Sequence, residues 1–165
     1  MKGGSLMLIQ GKYLYYGDDI SEAFEIRKQV FQIEQGVSAE EEFDSLDDLS
    51  VHVLVFALGE SQRAVATGRV YYDSQNYRIG RVAVLKNERG KKYGDFVVRM
   101  LANKAFLSGA KEIYIDAQVA AIPFYEKIGF TSFGDEFIEA GIQHISMKLI
   151  AGSLCKDCTS MKINK

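Results

Sequence analysis

Apolar and polar positions along the chain alternate between two periods. Leu6 to Tyr16 carries apolar residues at short spacing and reads as a first strand or hairpin arm. Asp19 to Phe31 shifts to helical spacing, with Ala23, Ile26 and Val30 on one face and Asp18, Asp19 or Ser21 as capping candidates. Three strand-like runs follow, Val51 to Leu58, Ala64 to Tyr72 and Tyr77 to Leu85, separated by the turn-forming stretches GESQR and DSQN. An antiparallel meander is the economical arrangement for them. Beyond the loop Arg89 to Gly94, helical spacing returns at Tyr93, Phe96, Val97, Met100, Leu101 and Ala105, and Ser108-Gly109 supplies a stop. Glu112 to Ala117 reads as a short strand and Ala120 to Lys127 as a short helix closed by Gly129. Thr131 to Phe137 and His144 to Leu149 are two last strands.

The resulting order, β-α-βββ-α-β-α-ββ, predicts an α+β protein whose mixed, mostly antiparallel central sheet is flanked by helices. The strand–helix–strand unit over 77–117 is expected to be a right-handed parallel crossover. No repeat or Pro- or Gly/Ser-rich linker interrupts it, and the single proline is Pro123. Residues 1–150 are therefore expected to form one domain. Residues 151–165, AGSLCKDCTSMKINK, read as a flexible polar C-terminal tail.

Composition narrows the function classes. The 165 residues are 47% hydrophobic and 25% charged with a formal net charge of −2, the profile of one ordinary globular domain. No basic stripe longer than Lys91-Lys92 offers itself to nucleic acid. No apolar run nears the roughly 20 residues that span a bilayer, and polar Gln10, Gly11 and Lys12 cut short any signal-like N-terminal stretch. A cytoplasmic location is the expectation, with neither nucleic acid nor membrane as partner. Cys155 and Cys158 fall in the tail, too few for a zinc site within one chain. Free thiols in a reducing compartment are expected there, and no metal.

The segment RIGRVAVLKNERGKKYGDFVVRML concentrates the candidate chemistry. It runs from a strand through Arg89-Gly90-Lys91-Lys92-Tyr93-Gly94 into a helix. A helix N-terminus leaves about four amides unpaired and carries roughly half a positive charge. Glycines admit a ligand close to the backbone, and Arg89, Lys91 and Lys92 add cationic charge. A phosphate or pyrophosphate suits such a place, although a tight turn with solvated lysines has the same appearance. A nucleotide-binding phosphate loop is disfavoured because Tyr93-Gly94-Asp95, not Ser or Thr, follows the lysines. A dinucleotide fingerprint needs a third glycine that the chain lacks.

A second informative segment is AQVAAIPFYEKIGF, a strand end followed by a short helix. Together the two segments resemble the paired signatures of the GNAT N-acetyltransferases. Arg89 to Gly94 is similar to Arg/Gln-x-x-Gly-x-Gly/Ala, and Gln118 to Phe130 to Asn-x-x-Ala-x-x-Phe-Tyr-x-x-x-Gly-Phe. The resemblance extends over Leu8 to Leu149. FQIEQGVSAEEEFDSLDDLSVH and GDEFIEAGIQHISMKL look more narrowly like a branch of small bacterial GNAT proteins of undefined substrate. Two positions depart from the signatures, Lys92 for a glycine and Gln118 for an asparagine.

This resemblance implies direct acetyl transfer from acetyl-CoA, a co-substrate, to a primary amine on a small molecule or protein. It assigns cofactor binding to Val82, Ala83 and Val84, to Arg89, Gly90, Lys91, Lys92, Tyr93 and Gly94, and to Gln118, Ala121 and Phe124. Tyr125 is then the general acid toward the departing thiolate, since a phenol of pKa about 10 matches a thiol near 8.5. Within the acidic stretch 40–48, Glu42 and Asp44 rank first as groups that hold a cationic acceptor and remove its proton; a solvated acidic loop is the bland alternative. Arg27 lies close to the apolar stripe of its helix and is expected to pair with Glu42 or Asp44 in a structural rather than catalytic role, and it is grouped with His144 as substrate-binding. His144, at the start of the last strand, is a substrate contact. His52 shares a strand face with Leu54 and Phe56 and is expected to be a core histidine. A sensor that binds acyl-CoA without turnover is the rival class, and a homodimer is compatible with the sequence.

Overall fold

A computed structural model describes residues 9–57 and 62–154. The predicted tail, including Cys155 and Cys158, lies outside the described residues, apart from 151–154. Seven strands form one sheet in the order β1-β2-β3-β4-β5-β7-β6: β1 (Gln10–Leu14), β2 (Val51–Ala57), β3 (Arg63–Tyr72), β4 (Tyr77–Val84), β5 (Glu112–Gln118), β6 (Thr131–Glu139) and β7 (Ile142–Ile150). The β2-β3-β4 meander is antiparallel as its short turns require. β4 and β5, joined through a helix, are the one parallel pair, and β7 inserts between β5 and β6. Among the described residues no helix is long and apolar enough to cross a membrane.

The alternation of side chains along each strand gives the sheet two different faces. One face carries Val53, Val55, Val65, Ile113, Ile115, Met147 and Leu149, all buried beneath α3 (Tyr93–Leu107) and α4 (Ile122–Ile128). α3 supplies Val97, Val98, Leu101 and Ala105 at helical spacing. It lies so close to the sheet that a Cβ on Gly68 would come within 2.8 Å of Leu101 and Val97 side chains. The other face is covered over its β1–β4 half by α1 (Ser21–Arg27), which packs Ala23, Ile26 and the following Val30 on Leu14, Leu54, Ala64 and Ala83. Over β5 and β7 that face stays uncovered, and Tyr114, Asp116 and Gln118 alternate with buried Ile113, Ile115 and Ala117.

Three local features differ from the sequence expectation. The first helix continues as a π-helical stretch, Lys28–Glu34, a rare form that tends to sit at functional sites. None of the expected side chains caps its start: Ile20 is the N-cap, while the Asp19 carboxylate accepts from the Ser21 amide at 2.9 Å. The acidic stretch is ordered, forming α2 (Ala39–Glu42), capped by Ser38, and a 3-10 turn at Ser45–Leu49.

Candidate functional site

β4 and β5 are paired only over Tyr77–Ile79 and Ile113–Ile115. Just beyond, β4 bulges: Thr67 opposes Ala83 and Arg69 opposes Gly80, so Arg81 and Val82 together face Gly68. Arg81 adopts φ 53°, uncommon for a residue with a Cβ. Past this bulge the edge of Val82–Val84 that faces β5 has no partner strand, and a wedge opens between the two strands. The Val84 carbonyl points into it, because the Arg89 Nε reaches it at 3.1 Å.

On the α3/α4 side the wedge widens into a cavity of about 900 Å³, walled by Val82–Val84, the loop before α3, and Ala121, Phe124 and Tyr125. α3 begins there with no side-chain cap, leaving the amides of Tyr93 and Gly94 free of partners among the described residues. Its N-cap, Lys92, sits at φ 67°, ψ 14°. The lysine that departs from the glycine signature thus adopts the left-handed conformation for which glycine is ordinarily chosen, at a cost of about 1–2 kcal/mol. A Cβ on Gly94 would lie 3.3 Å from both Phe124 and Val84, so this position is closed to larger residues.

The cationic charge expected at the loop is largely engaged. Arg89 donates to both Glu34 carboxylate oxygens, at 2.6 and 2.8 Å, and its hydrogen bond holds Glu34 below the usual carboxylate range. Lys91 turns to Glu88 at 2.8 Å. Lys92 lines the cavity and makes no ion pair among the described residues. Tyr93 also lines the cavity, although its ring is buried in the core. Gln118 donates to the Gln35 side chain at 3.0 Å, tying the end of β5 to the end of the first helix.

The uncovered part of the opposite face holds a second cavity of about 390 Å³. The end of the first helix, α2, β3, β4, β5 and the β6–β7 turn enclose it, with Phe31, Glu41, Tyr71, Asp116, Glu139 and His144 on its wall. Val82, Ala121 and Tyr125 line both cavities. Tyr125 is 7% exposed and stacks edge-on against Phe124 and Phe130. Its hydroxyl has no hydrogen-bond partner among the described residues, and burial pushes the phenol well above the usual tyrosine value. It is held as a protonated donor between two spaces.

Glu42 and Asp44 are placed differently from the expectation that they deprotonate an acceptor. Arg27, Arg69 and Arg81 interlock with Glu42, Asp44 and Asp47. Arg27 pairs with Glu42 at 2.5 Å and Asp47 at 2.7 Å. Arg69 grips Asp44 through both terminal nitrogens, at 2.6 and 2.8 Å, and also reaches Asp47. Arg81 reaches Glu42 at 3.1 Å, Asp44 at 3.3 Å and the backbone carbonyls of Glu41 and Glu42. Burial raises Asp44 and Asp47, but hydrogen bonds and charge from Arg69 and Arg27 outweigh it and hold both below the usual range. Burial dominates at Glu42 and raises it despite Arg27. Three carboxylates neutralised by three guanidiniums form a brace that fixes α2 on the bulge of β4, with no free base among them. Arg27, 1% exposed, pairs with Glu42 as expected, but inside this brace it does not line the smaller cavity; its expected contact with substrate is corrected by that burial. Sequence reasoning missed Arg69 and Arg81, although each sits inside a largely apolar strand, RAVATGRVYY and YRIGRVAV, a signal for buried carboxylate partners.

The two histidines are both buried, in different settings. His52 bonds the Asp47 carbonyl through Nε2 at 3.1 Å and packs in the interior. His144 is 8% exposed on the cavity wall, stacked on Phe137 with ring planes 21° apart.

Residues 22–151 match the family described as "Acetyltransferase (GNAT) domain". The uncharacterized N-acetyltransferase YjcF of Bacillus subtilis is 34% identical over 131 residues, 79% of this chain and 91% of that protein. Among solved structures, Escherichia coli ElaA is similar with a TM-score of 0.71 at 25% identity, covering 84% of this chain and 98% of its own. An acyl-CoA N-acyltransferase from Pseudomonas aeruginosa has the same fold, with a TM-score of 0.71 at 22% identity over 84% of this chain and 98% of its own. The splayed parallel pair, the bare helix start beside it and the two signatures that frame them therefore have one explanation: this chain belongs to the GNAT acetyltransferase family.

Proposed function

We propose that the protein transfers the acetyl group of acetyl-CoA directly to a primary amine, with the two substrates entering from opposite sides of Tyr125. The observation that carries this reading is that Tyr125 lines both cavities while its hydroxyl stays unbonded. The larger cavity fits acetyl-CoA on this chain's own features. Uncapped amides at Tyr93 and Gly94 suit a pyrophosphate, the free edge of Val82–Val84 suits the amide groups of a pantetheine arm, and Gly94 leaves room where a Cβ would be tight.

The wedge leads from that edge toward Tyr125, so a backbone N–H near Val84 is available to polarise the thioester carbonyl. Attack by the amine nitrogen forms the C–N bond. Collapse of the tetrahedral adduct breaks the C–S bond, and Tyr125 gives its proton to the departing thiolate. The acceptor occupies the smaller cavity. The Arg27–Arg69–Arg81 brace neutralises its own three carboxylates, and Arg78 is satisfied by Asp73 at 2.5 Å. On the wall, Glu41, Asp116 and Glu139 make no ion-pair contact among the described residues, although Asp116 lies within the field of Arg78. That surplus of negative charge supports a cationic acceptor.

The test is release of free thiol from acetyl-CoA in the presence of ethanolamine, glucosamine, putrescine and lysine. Amine-dependent thiol release is the expected result. Tight CoA binding with no thiol release from any amine would favour a sensor instead.

A further inference from the structure

The amine that enters the smaller cavity arrives as an ammonium ion and must lose a proton before its nitrogen can attack. The brace carboxylates are committed to arginines. Tyr125 is a protonated donor. Glu41, Asp116 and Glu139 on the wall are exposed carboxylates, whereas His144 is buried there, and its geometry defines what it can do. Its Nδ1 lies 2.7 Å from the Ile142 carbonyl oxygen. A carbonyl only accepts, so Nδ1 carries a hydrogen and donates it. In the neutral ring this leaves the lone pair on Nε2, and no protein group among the described residues bonds that nitrogen. Stacking on Phe137 fixes the plane of the ring, and register places it beside Gln118 at the end of β5. His52 shows the reverse arrangement, its Nε2 bonded to a carbonyl in the interior and away from the cavity.

We propose that His144 is the general base of the reaction, its Nε2 taking the proton of the acceptor ammonium inside the smaller cavity. The proposal rests on the acetyl-transfer reading above. The proton balance is as follows. The ammonium gives one proton to Nε2, which passes it to solvent when the imidazolium relaxes. The nitrogen loses a second proton as the amide forms, and that proton replaces the one Tyr125 gives to the thiolate. The products are the acetylated amine, free thiol and one proton in solution.

The titratable and charged groups that share the cavity come from every element around it: Glu41 and Glu42 of α2, Arg69 and Tyr71 of β3, Arg78 and Arg81 of β4, Tyr114 and Asp116 of β5, Tyr125 of α4 and Glu139 of β6. Asp116 accepts from the Ser146 hydroxyl at 2.9 Å. Carboxylates, phenols and guanidiniums ordinarily titrate outside pH 5 to 8, whereas imidazole titrates within it. A break in the rate that both His144 variants abolish therefore reports His144.

The experiment compares wild type with His144→Asn and His144→Gln, using the fastest amine of the panel and O-methylhydroxylamine as a weakly basic probe. For wild type, kcat/KM rises with pH and levels off once the imidazole is neutral. In the variants the break disappears, and the rate climbs in proportion to free amine toward the amine's own pKa, roughly 10 for an alkylamine by analogy with lysine. At pH 7 the expected loss is about 10²-fold with the alkylamine, and much smaller with O-methylhydroxylamine, which is largely uncharged there. Thermal unfolding confirms that the variants fold. Nitrogen NMR of the wild type reads the tautomer without any acceptor, and with only two histidines in the chain one variant assigns both. Nδ1–H at His144 is the expected result; Nε2–H there overturns the proposal. Wild-type transfer that persists with an unchanged pH break in both variants overturns the role of His144 alone. No amine-dependent transfer by wild type overturns the acetyl-transfer reading and this proposal together.

Discussion

The two cavities that meet at Tyr125 differ in how the chain builds them. Apart from Val30, the larger comes from two continuous runs, 82–99 and 121–127. The smaller draws on the first helix, α2, five strands of the sheet, the turn before the last of them and Tyr125 of α4. The larger is held open by backbone: a strand bulge, a bare helix start and a glycine where a Cβ would press on Phe124 and Val84. The smaller is held by charged side chains, three arginines against three carboxylates behind one wall. A site made of backbone geometry needs particular residues at short fixed spacing. A site made of long-range ion pairs needs only that partners meet after folding.

That difference predicts where substitutions act. The largest effect is expected in the brace. Arg27→Leu leaves buried Glu42 and Asp47 short of a partner, and breaking a buried pair costs about 3–5 kcal/mol. A large fall in Tm by calorimetry, with CoA affinity per folded molecule unchanged, would separate the brace from the cofactor side. An unchanged Tm would break the comparison. The same network gives a pH dependence. Asp44 and Asp47 are depressed in the folded state, so their contribution is present above the unfolded value near 3.9 and is lost as pH falls through the lower folded values. Glu42, raised by burial, works in the opposite sense. Wild type should therefore lose stability below about pH 4, and Arg27→Leu should show a shallower acid limb.

Tyr125→Phe comes next. It keeps the ring packing against Phe124 and Phe130 and removes only the donor, so kcat is expected to fall about 10²-fold with little change in the KM for acetyl-CoA. Because burial raises the phenol, wild-type activity should not decline through Tyr125 ionisation as pH approaches 10. A variant as fast as wild type would remove the proposed acid.

Gly94→Ala tests the backbone cradle. A methyl group 3.3 Å from Phe124 and Val84 forces a local shift costing about 1 kcal/mol, equivalent to roughly a fivefold rise in the Kd for CoA by calorimetric titration. Lys92→Gly should have the smallest effect. It relieves a left-handed lysine, with a gain below about 1 kcal/mol in stability, and should alter CoA affinity less than threefold because the backbone already follows the glycine path. A tenfold gain in affinity would show that the lysine side chain obstructs the site.

The same contrast explains what the sequence revealed. Strand order, the parallel crossover pair and the loop before α3 were legible because each is encoded over a few adjacent positions by periodicity, glycine and helix-start rules. The departure at Lys92 was visible too, but not that its backbone would keep the left-handed conformation of the glycine it replaces. The acidic stretch was visible as composition and misread as chemistry. Its partners Arg69 and Arg81 lie 25 and 37 positions from Asp44, and nothing local indicates that they meet it. Tyr125 was legible only through the segment around it. That its ring would separate two cavities follows from the splay of β4 from β5 and the empty half of one sheet face, both products of the assembled sheet.

The most direct test of the central claim, that two substrates meet at Tyr125 from opposite cavities, is a crystal structure of the protein with CoA bound. The expected result is a pyrophosphate on the amides of Tyr93 and Gly94, a pantetheine arm along Val82–Val84 and a thiol beside the Tyr125 hydroxyl. CoA lying instead between Arg78 and His144, or a thiol directed away from Tyr125, would contradict the account.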